Sequence, residues 1–286
     1  RTIATMLLSD VDLKSYTDTA YHNEELKSLT RYRFDKVRER AKLKQSVSRL
    51  VTILFPELEK LVPSLHIASV YALLSEYPGA KQISEIHLTK LTNLLATASK
   101  GRYGKDKAIQ IRDAARTSIG SVMPAKFLEL KHTIKLIREL TSEIDEIEVS
   151  IQKIMDELNP PILSIPGVGI QSAAMILAEI GDINRFKSSS ALVAFAGIDP
   201  TVRQSGEFSS THNHMSKRGS PYLRHAIFLA ATTCSFHNSP LNAYYKKKRD
   251  QGKHHLTATG AVARKLTSVI YAVLRDSKPY EPKSFC

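Results

Sequence analysis

The sequence predicts an all-α fold in two parts: a long coiled-coil or helical-hairpin region, then a helical domain carrying a helix-hairpin-helix. Three observations lead there. Apolar residues recur at helical spacing in segment after segment, and no alternating strand pattern of any length appears. Gly and Pro number only 12 each in 286 residues, and Trp is absent, a composition that leans towards helices. Pro160-Pro161 then interrupts the pattern, because proline lacks the N–H that a helix interior needs.

The elements follow in order. Asn23 to Leu54 reads as one long helix, with Asn23 as N-cap and Glu24 and Glu25 in the first turn. Leu43, Val47, Leu50 and Leu54 form its apolar stripe, and Phe55-Pro56 stops it. Its many cations suit either a phosphate backbone or a solvated bundle face. Leu65 to Ser121 reads as short helices broken at Pro78-Gly79 and at Gly101 to Gly104. The loop Ser99 to Lys105 is compatible with a phosphate cradle or with a plain inter-helix turn. Phe127 to Leu158 is the clearest helix. Leu130, Ile137, Ile144, Ile151 and Leu158 recur every seven residues, with Leu140, Ile147 and Ile154 as a second row. That seam fits a homodimer contact through 124–158 and, equally, an intramolecular hairpin with the Asn23 helix. Beyond Pro160-Pro161, helical periodicity returns at Ile170 to Ile180, Ser190 to Ala196, Pro221 to Ser235 and Thr257 to Leu274. The domain division expected is 1–21, 22–159 and 160–286.

Composition narrows the function. Hydrophobic residues make up 42%, enough for a core and too many for a disordered basic tail. No window nears the roughly 18 apolar residues that a membrane span needs. The opening RTIATMLLSDVD has no secretory pattern, and it begins without Met, as a fragment would. Cys234 and Cys286 stand far apart with no CxxC, which points to a reducing cytoplasmic setting without structural zinc. The formal net charge is +13. Residues 201–286 hold 14 Lys/Arg against 4 Asp/Glu, whereas 124–158 hold 5 against 8. Such basic ends suit a polyanion, although a solubilising surface has the same composition.

Two motifs carry chemistry. In Leu163-Ser-Ile-Pro-Gly-Val-Gly-Ile-Gln-Ser-Ala-Ala174, Gly167 and Gly169 allow a tight turn and a close approach of backbone to ligand. The helix after them would aim free N–H groups at a phosphate without reading bases. The second motif runs Gly197-Ile-Asp-Pro-Thr-Val-Arg-Gln-Ser205-Gly206 and continues in Ser216-Lys-Arg-Gly-Ser-Pro-Tyr-Leu-Arg224. Serine attacks phosphorus only when deprotonated against a neutralised phosphate. Arg203, Lys217, Arg218 and Arg224 supply cations of the kind that fit phosphate oxygens. Lys246, Lys247, Lys248 and Arg249 form a further backbone-contacting run. His212 and His214 lack a third metal ligand. Tyr244-Tyr245 lacks the H-x-x-R of a tyrosine recombinase.

The stretch IPGVGIQSAAMILAEIGDINRFKSSSALVAFAGIDPTVRQSG, with HMSKRGSPYLRHAIFLAA after it, resembles the C-terminal domain of bacterial insertion-sequence transposases of the 110 (116/902) type. These are DEDD transposases related to the Piv invertase and include bridge-RNA-guided recombinases. The resemblance implies a DNA recombinase acting at the nucleoid, with guide RNA as a second partner. It implies Ser205 as the nucleophile that forms a phosphoserine link, with Ser216 as runner-up. It also implies an N-terminal RuvC-like domain whose carboxylates hold Mg2+. This chain begins just after the position of the last carboxylate, so 1–21 would be a remnant helix, and Asp10, Asp12 and Asp18 do not match that motif. The alternative is a non-catalytic helix-hairpin-helix module that binds DNA or RNA.

Overall fold

The computed structural model describes residues 21–201, 204–205, 208–209, 214–237 and 239–282. The remnant helix, Arg203 and His212 lie outside them, as does the side chain of Ser205. The described residues are overwhelmingly helical. The exception is a two-residue antiparallel pair, β1 (Gln204–Ser205) with β2 (Phe208–Ser209), in which Ser205 faces Phe208. Contacts divide the chain into two compact units, 32–149 and 1–31 with 150–286. The expected stop at Pro160-Pro161 ends a helix as anticipated. Compactness, however, divides the chain inside the two long helices, because the start of the first one is tied into the C-terminal unit.

In the unit 32–149, α1 (Tyr21–Leu54) and α7 (Pro124–Leu158) run antiparallel. Arg33 pairs with Glu148 at 2.5 Å, Lys36 with Glu143 at 2.6 Å, and Arg40 donates to Thr141 Oγ1 at 3.1 Å. Between them lies a core of Val47, Leu50, Leu54, Leu130, Ile134 and Ile137. Five heptad positions of α7 in this unit, Leu130, Ile137, Leu140, Ile144 and Ile147, are buried within the single chain. The seam therefore forms the intramolecular hairpin and does not present a free face to a second copy. The short helices α2 (Leu58–Leu61), α3 (Ala68–Glu76), α4 (Ala80–Glu85), α5 (Leu88–Ala98) and α6 (Lys105–Arg116) complete the unit. Within it α3 packs on α5, and α6 on α2, α4 and α5. Asn23 sits inside α1 rather than capping it.

In the C-terminal unit a 3-10 turn (Pro161–Ser164) leads to α8 (Ile170–Ile180). Then come a 3-10 turn (Ile183–Arg185), α9 (Ser189–Ala196), α10 (Pro221–Cys234), α11 (Pro240–Asp250) and α12 (His255–Asp276). Helix α10 packs on α8 and α12, while α9 and α11 also pack on α12. Small residues make close approach possible: Ala173, Ala174, Ala196, Ala230 and Ala231 are all buried. The basic run Lys246–Arg249 proves to lie in a helix, begun by Ser239, whose side chain accepts from Asn242 N–H, and by Pro240 at its first position. No helix among the described residues is long and apolar enough to cross a membrane.

Candidate nucleic-acid interface

The Pro-Gly-Val-Gly turn uses its two glycines differently. Gly167 has φ +92, and a Cβ there would lie 2.8 Å from the Cys234 backbone, so only glycine fits against the end of α10. Cys234 Sγ donates to Pro166 O at 3.1 Å, and burial pushes its thiol up to about 12. That thiol is a packing group, not a nucleophile. At Gly169 an added Cβ would meet open space. Gly169 caps α8 without a side chain, and the first return bond runs from Ala173 N–H to Gly169 O at 2.9 Å. The preceding N–H groups are thus left to an outside acceptor.

The polar loop is closed at its base by glycines. Gly197 (φ +67) would place a Cβ 1.9 Å from Arg218 O, and Gly219 (φ +82) one 1.9 Å from Phe195 O. Each glycine lets a backbone strand cross where a side chain would stand. Backbone bonds continue outward as a ribbon: Lys217 N–H to Gly197 O at 3.0 Å, Ser216 N–H to Asp199 O at 2.9 Å and Thr201 N–H to His214 O at 2.7 Å. Ser205 lies in the loop that this neck closes. Ser216 is built into the neck itself, and its hydroxyl donates to Asp199 Oδ1 at 2.5 Å.

Behind the neck lies a polar knot. Glu179 is 5% exposed, yet it accepts from Arg31 Nε at 2.6 Å, Arg31 Nη2 at 3.0 Å and Ser220 Oγ at 2.7 Å. Burial works to raise its carboxyl, but these donors and the Arg31 charge outweigh it and hold the group below the usual carboxylate range. Ser220 also caps α10 by accepting from Leu223 N–H, and its own N–H reaches Phe195 O at 3.1 Å. Arg185 stacks against Phe186 and Phe195 at 4.7 and 4.6 Å and donates to Glu179 O at 3.3 Å. Burial draws its pKa downward.

The expected cations divide into two sets. Lys217, Arg218, Lys246, Lys247 and Arg249 are exposed. Arg224 is half-buried and donates to Ala196 O at 3.2 Å, so it also serves the end of α9. Lys248 bonds Gln251 and sits over the Tyr244 ring at 5.4 Å. The sequence reading missed Arg264 and Lys265 of α12. With Asp199, Pro200, Ser190 and Tyr244 they line a groove of about 520 Å³ beside the neck. The signal was an adjacent Arg-Lys pair within an otherwise apolar helical pattern. Glu179 was missed too, although it is the only acid in an apolar helix, where a carboxylate requires a partner. Among the described residues no three His, Cys, Asp or Glu converge on a metal position, so a magnesium ion finds no ligand set there.

The class of arrangement is a short ribbon on a helical support, with exposed cations at Lys217 and Arg218 beside its neck. Comparison with known proteins gives the particular kin. Residues 159–246 match the model described as Transposase IS116/IS110/IS902 family. The chain is 28% identical to the insertion element IS110 43.6 kDa protein of Streptomyces coelicolor, over 95% of this chain and 68% of that protein. It is also 28% identical to the IS116 44.8 kDa protein of Streptomyces clavuligerus, over 90% of this chain and 65% of the relative. The pilin gene-inverting protein of Moraxella bovis is 29% identical over 74% of this chain and 66% of its own length. The chain is thus similar to proteins of insertion elements and to a pilin gene-inverting protein, and it spans about two thirds of their length.

Proposed function

We propose that the chain is part of an insertion-sequence transposase that joins its Ser205 covalently to DNA during strand exchange, directed by a structured guide RNA. In that step the Ser205 Oγ–P bond forms as one P–O bond of the backbone breaks, and the leaving oxygen takes up a proton. The observation that carries the reading is the neck at Gly197 and Gly219. It closes the loop that carries Ser205, with Lys217 and Arg218 exposed at its base. Ser216 is the weaker candidate, because its hydroxyl is engaged with Asp199 within the fold. The Gly167–Gly169 turn would act as a helix-hairpin-helix on the DNA backbone, together with Arg203 and the Lys246–Arg249 run. Magnesium, on this proposal, is held by carboxylates that are not among the described residues, and no step is assigned to it here. A homodimer contact on 124–158 would use the outer face of α7, where Leu128 and Leu136 are exposed.

The test is a denaturation-resistant protein–DNA adduct formed by the full-length transposase. Ser205→Ala should abolish the adduct and leave DNA binding nearly intact, since one loop hydroxyl costs the fold little. An adduct that survives Ser205→Ala but vanishes in Ser216→Ala would move the role to Ser216. Tight DNA binding with no adduct in the wild type would leave the non-catalytic binding module.

A further inference from the structure

A separate anion position lies in the unit 32–149, outside the segment that the family model covers. Helix α3 begins without a side-chain cap, since its N-cap is Ile67 in extended conformation. The first return bond runs from Tyr71 N–H to Ile67 O at 3.0 Å. The N–H groups of Ala68, Ser69 and Val70 therefore have no acceptor within the helix and form the positive end of its dipole. Against them lies a cavity of about 570 Å³, lined by Ala68 and Ser69 on one side and by Ser99, Lys100, Arg102 and Tyr103 on the other. Ser69 is 2% exposed, and its Oγ has no hydrogen-bond partner. A buried hydroxyl left so is unfavourable unless something outside the chain meets it.

The loop on the far wall supplies charge rather than N–H groups. The N–H of Lys100 donates to Thr97 O, that of Gly101 to Ala96 O, that of Arg102 to Ser99 O and that of Tyr103 to Ser99 Oγ. Those bonds exclude the glycine loop as the cradle. Lys100, held at φ +54, and Arg102 are both exposed, and neither forms an ion pair among the described residues. No Asp or Glu lines the cavity. Donors and cations thus converge from two segments some thirty residues apart.

We infer that this position binds a phosphate group. The N–H groups of Ala68 to Val70 and the Ser69 hydroxyl donate to its oxygens, while Lys100 and Arg102 neutralise its charge. The phosphate belongs either to a nucleic-acid backbone or to free inorganic phosphate, and the chemistry of capture is the same. The inference does not depend on the serine reading. Failure of Ser205→Ala to block an adduct would leave it untouched.

The experiment follows the amide resonances of Ala68 to Val70 in the whole chain, first with inorganic phosphate and then with a short single-stranded oligonucleotide. Saturable shifts at these amides are expected. Ser69→Ala with Arg102→Gln should weaken the response by roughly tenfold or more. Ser69→Ala removes a hydroxyl with no partner, so its Tm in phosphate-free buffer should equal or exceed that of the wild type and certify the fold. Competition by the oligonucleotide for the same amides assigns the phosphate to a strand, and phosphate shifts without competition assign it to the free ion. Amides unmoved by either probe, or equal affinity in the double variant, would overturn the inference.

Discussion

Glu179 is the only carboxylate of α8, and its pairing with Arg31 spans 148 positions of sequence. Removing one partner of a fully buried pair costs about 3–5 kcal/mol. The Arg31 side chain is 40% exposed, so Arg31→Ala is expected to cost less, about 2–3 kcal/mol, measured by denaturant unfolding. The pH dependence has a definite sign. A carboxyl held below its usual range in the fold contributes stability that is complete above the unfolded pKa and lost as pH falls through the folded one. Unfolding followed from neutral to acid pH should therefore be steeper for wild type than for Glu179→Gln, and equal slopes would contradict the pairing. At this scale the sequence was half legible. An acid amid Ala, Ile and Leu announces the need for a cation. Which cation was hidden, because Arg31 is one of many on a basic helix and nothing local separates it from Arg33 or Lys36. Ser216 illustrates the same limit, since only the folded neck shows its hydroxyl tied to Asp199.

At the scale of the element, the long helices were plain because each buries a stripe at helical period, and proline or glycine ends it. Helix α11 was not, since Leu241 is its only buried residue and leaves no period to detect. The ribbon escaped notice for another reason: crossed glycines and backbone bonds hold it, and these leave no alternation in side chains. The hairpin of α1 and α7 makes two predictions. Ile144 is 2% exposed, so Ile144→Asp should cost several kcal/mol and lower Tm, visible by circular dichroism as loss of the unit rather than a clean change of mass. Changing Leu128 and Leu136 on the outer face to Glu should instead spare the helix signal. If the proposed dimer uses that face, sedimentation should report half the wild-type mass.

Over the whole molecule, the +13 formal charge is the most visible property in the sequence and the least specific. On the proposed function, charge concentrated in residues 201–286 should make binding to DNA salt-dependent, because each phosphate contact releases condensed counterions. Replacing exposed Lys246 and Lys247 by Ala should weaken binding across unrelated sequences alike. It should also flatten the log–log salt slope by roughly one per lost contact. A slope unchanged in fluorescence titrations would remove that run from the interface. Composition foretold the helical fold. It did not foretell that 21–31 would join the C-terminal unit, since long-range contacts such as Arg31 with Glu179 and Tyr222 leave no change in composition.

The crossed glycines also insulate. A loop fastened at its base by two glycine crossings, backbone bonds and the Ser216–Asp199 bond is closed by residues outside the segment it encloses. Lengthening such a segment adds only about 0.6 kcal/mol per doubling. Apart from Ser205 and Arg203, which the proposed function uses, residues 202–213 are therefore open to change in sequence and length while the supporting helices stay unchanged, whereas Gly197 and Gly219 admit no substitute. Evolution, or a protein engineer, can retune such a loop without renegotiating the fold beneath it.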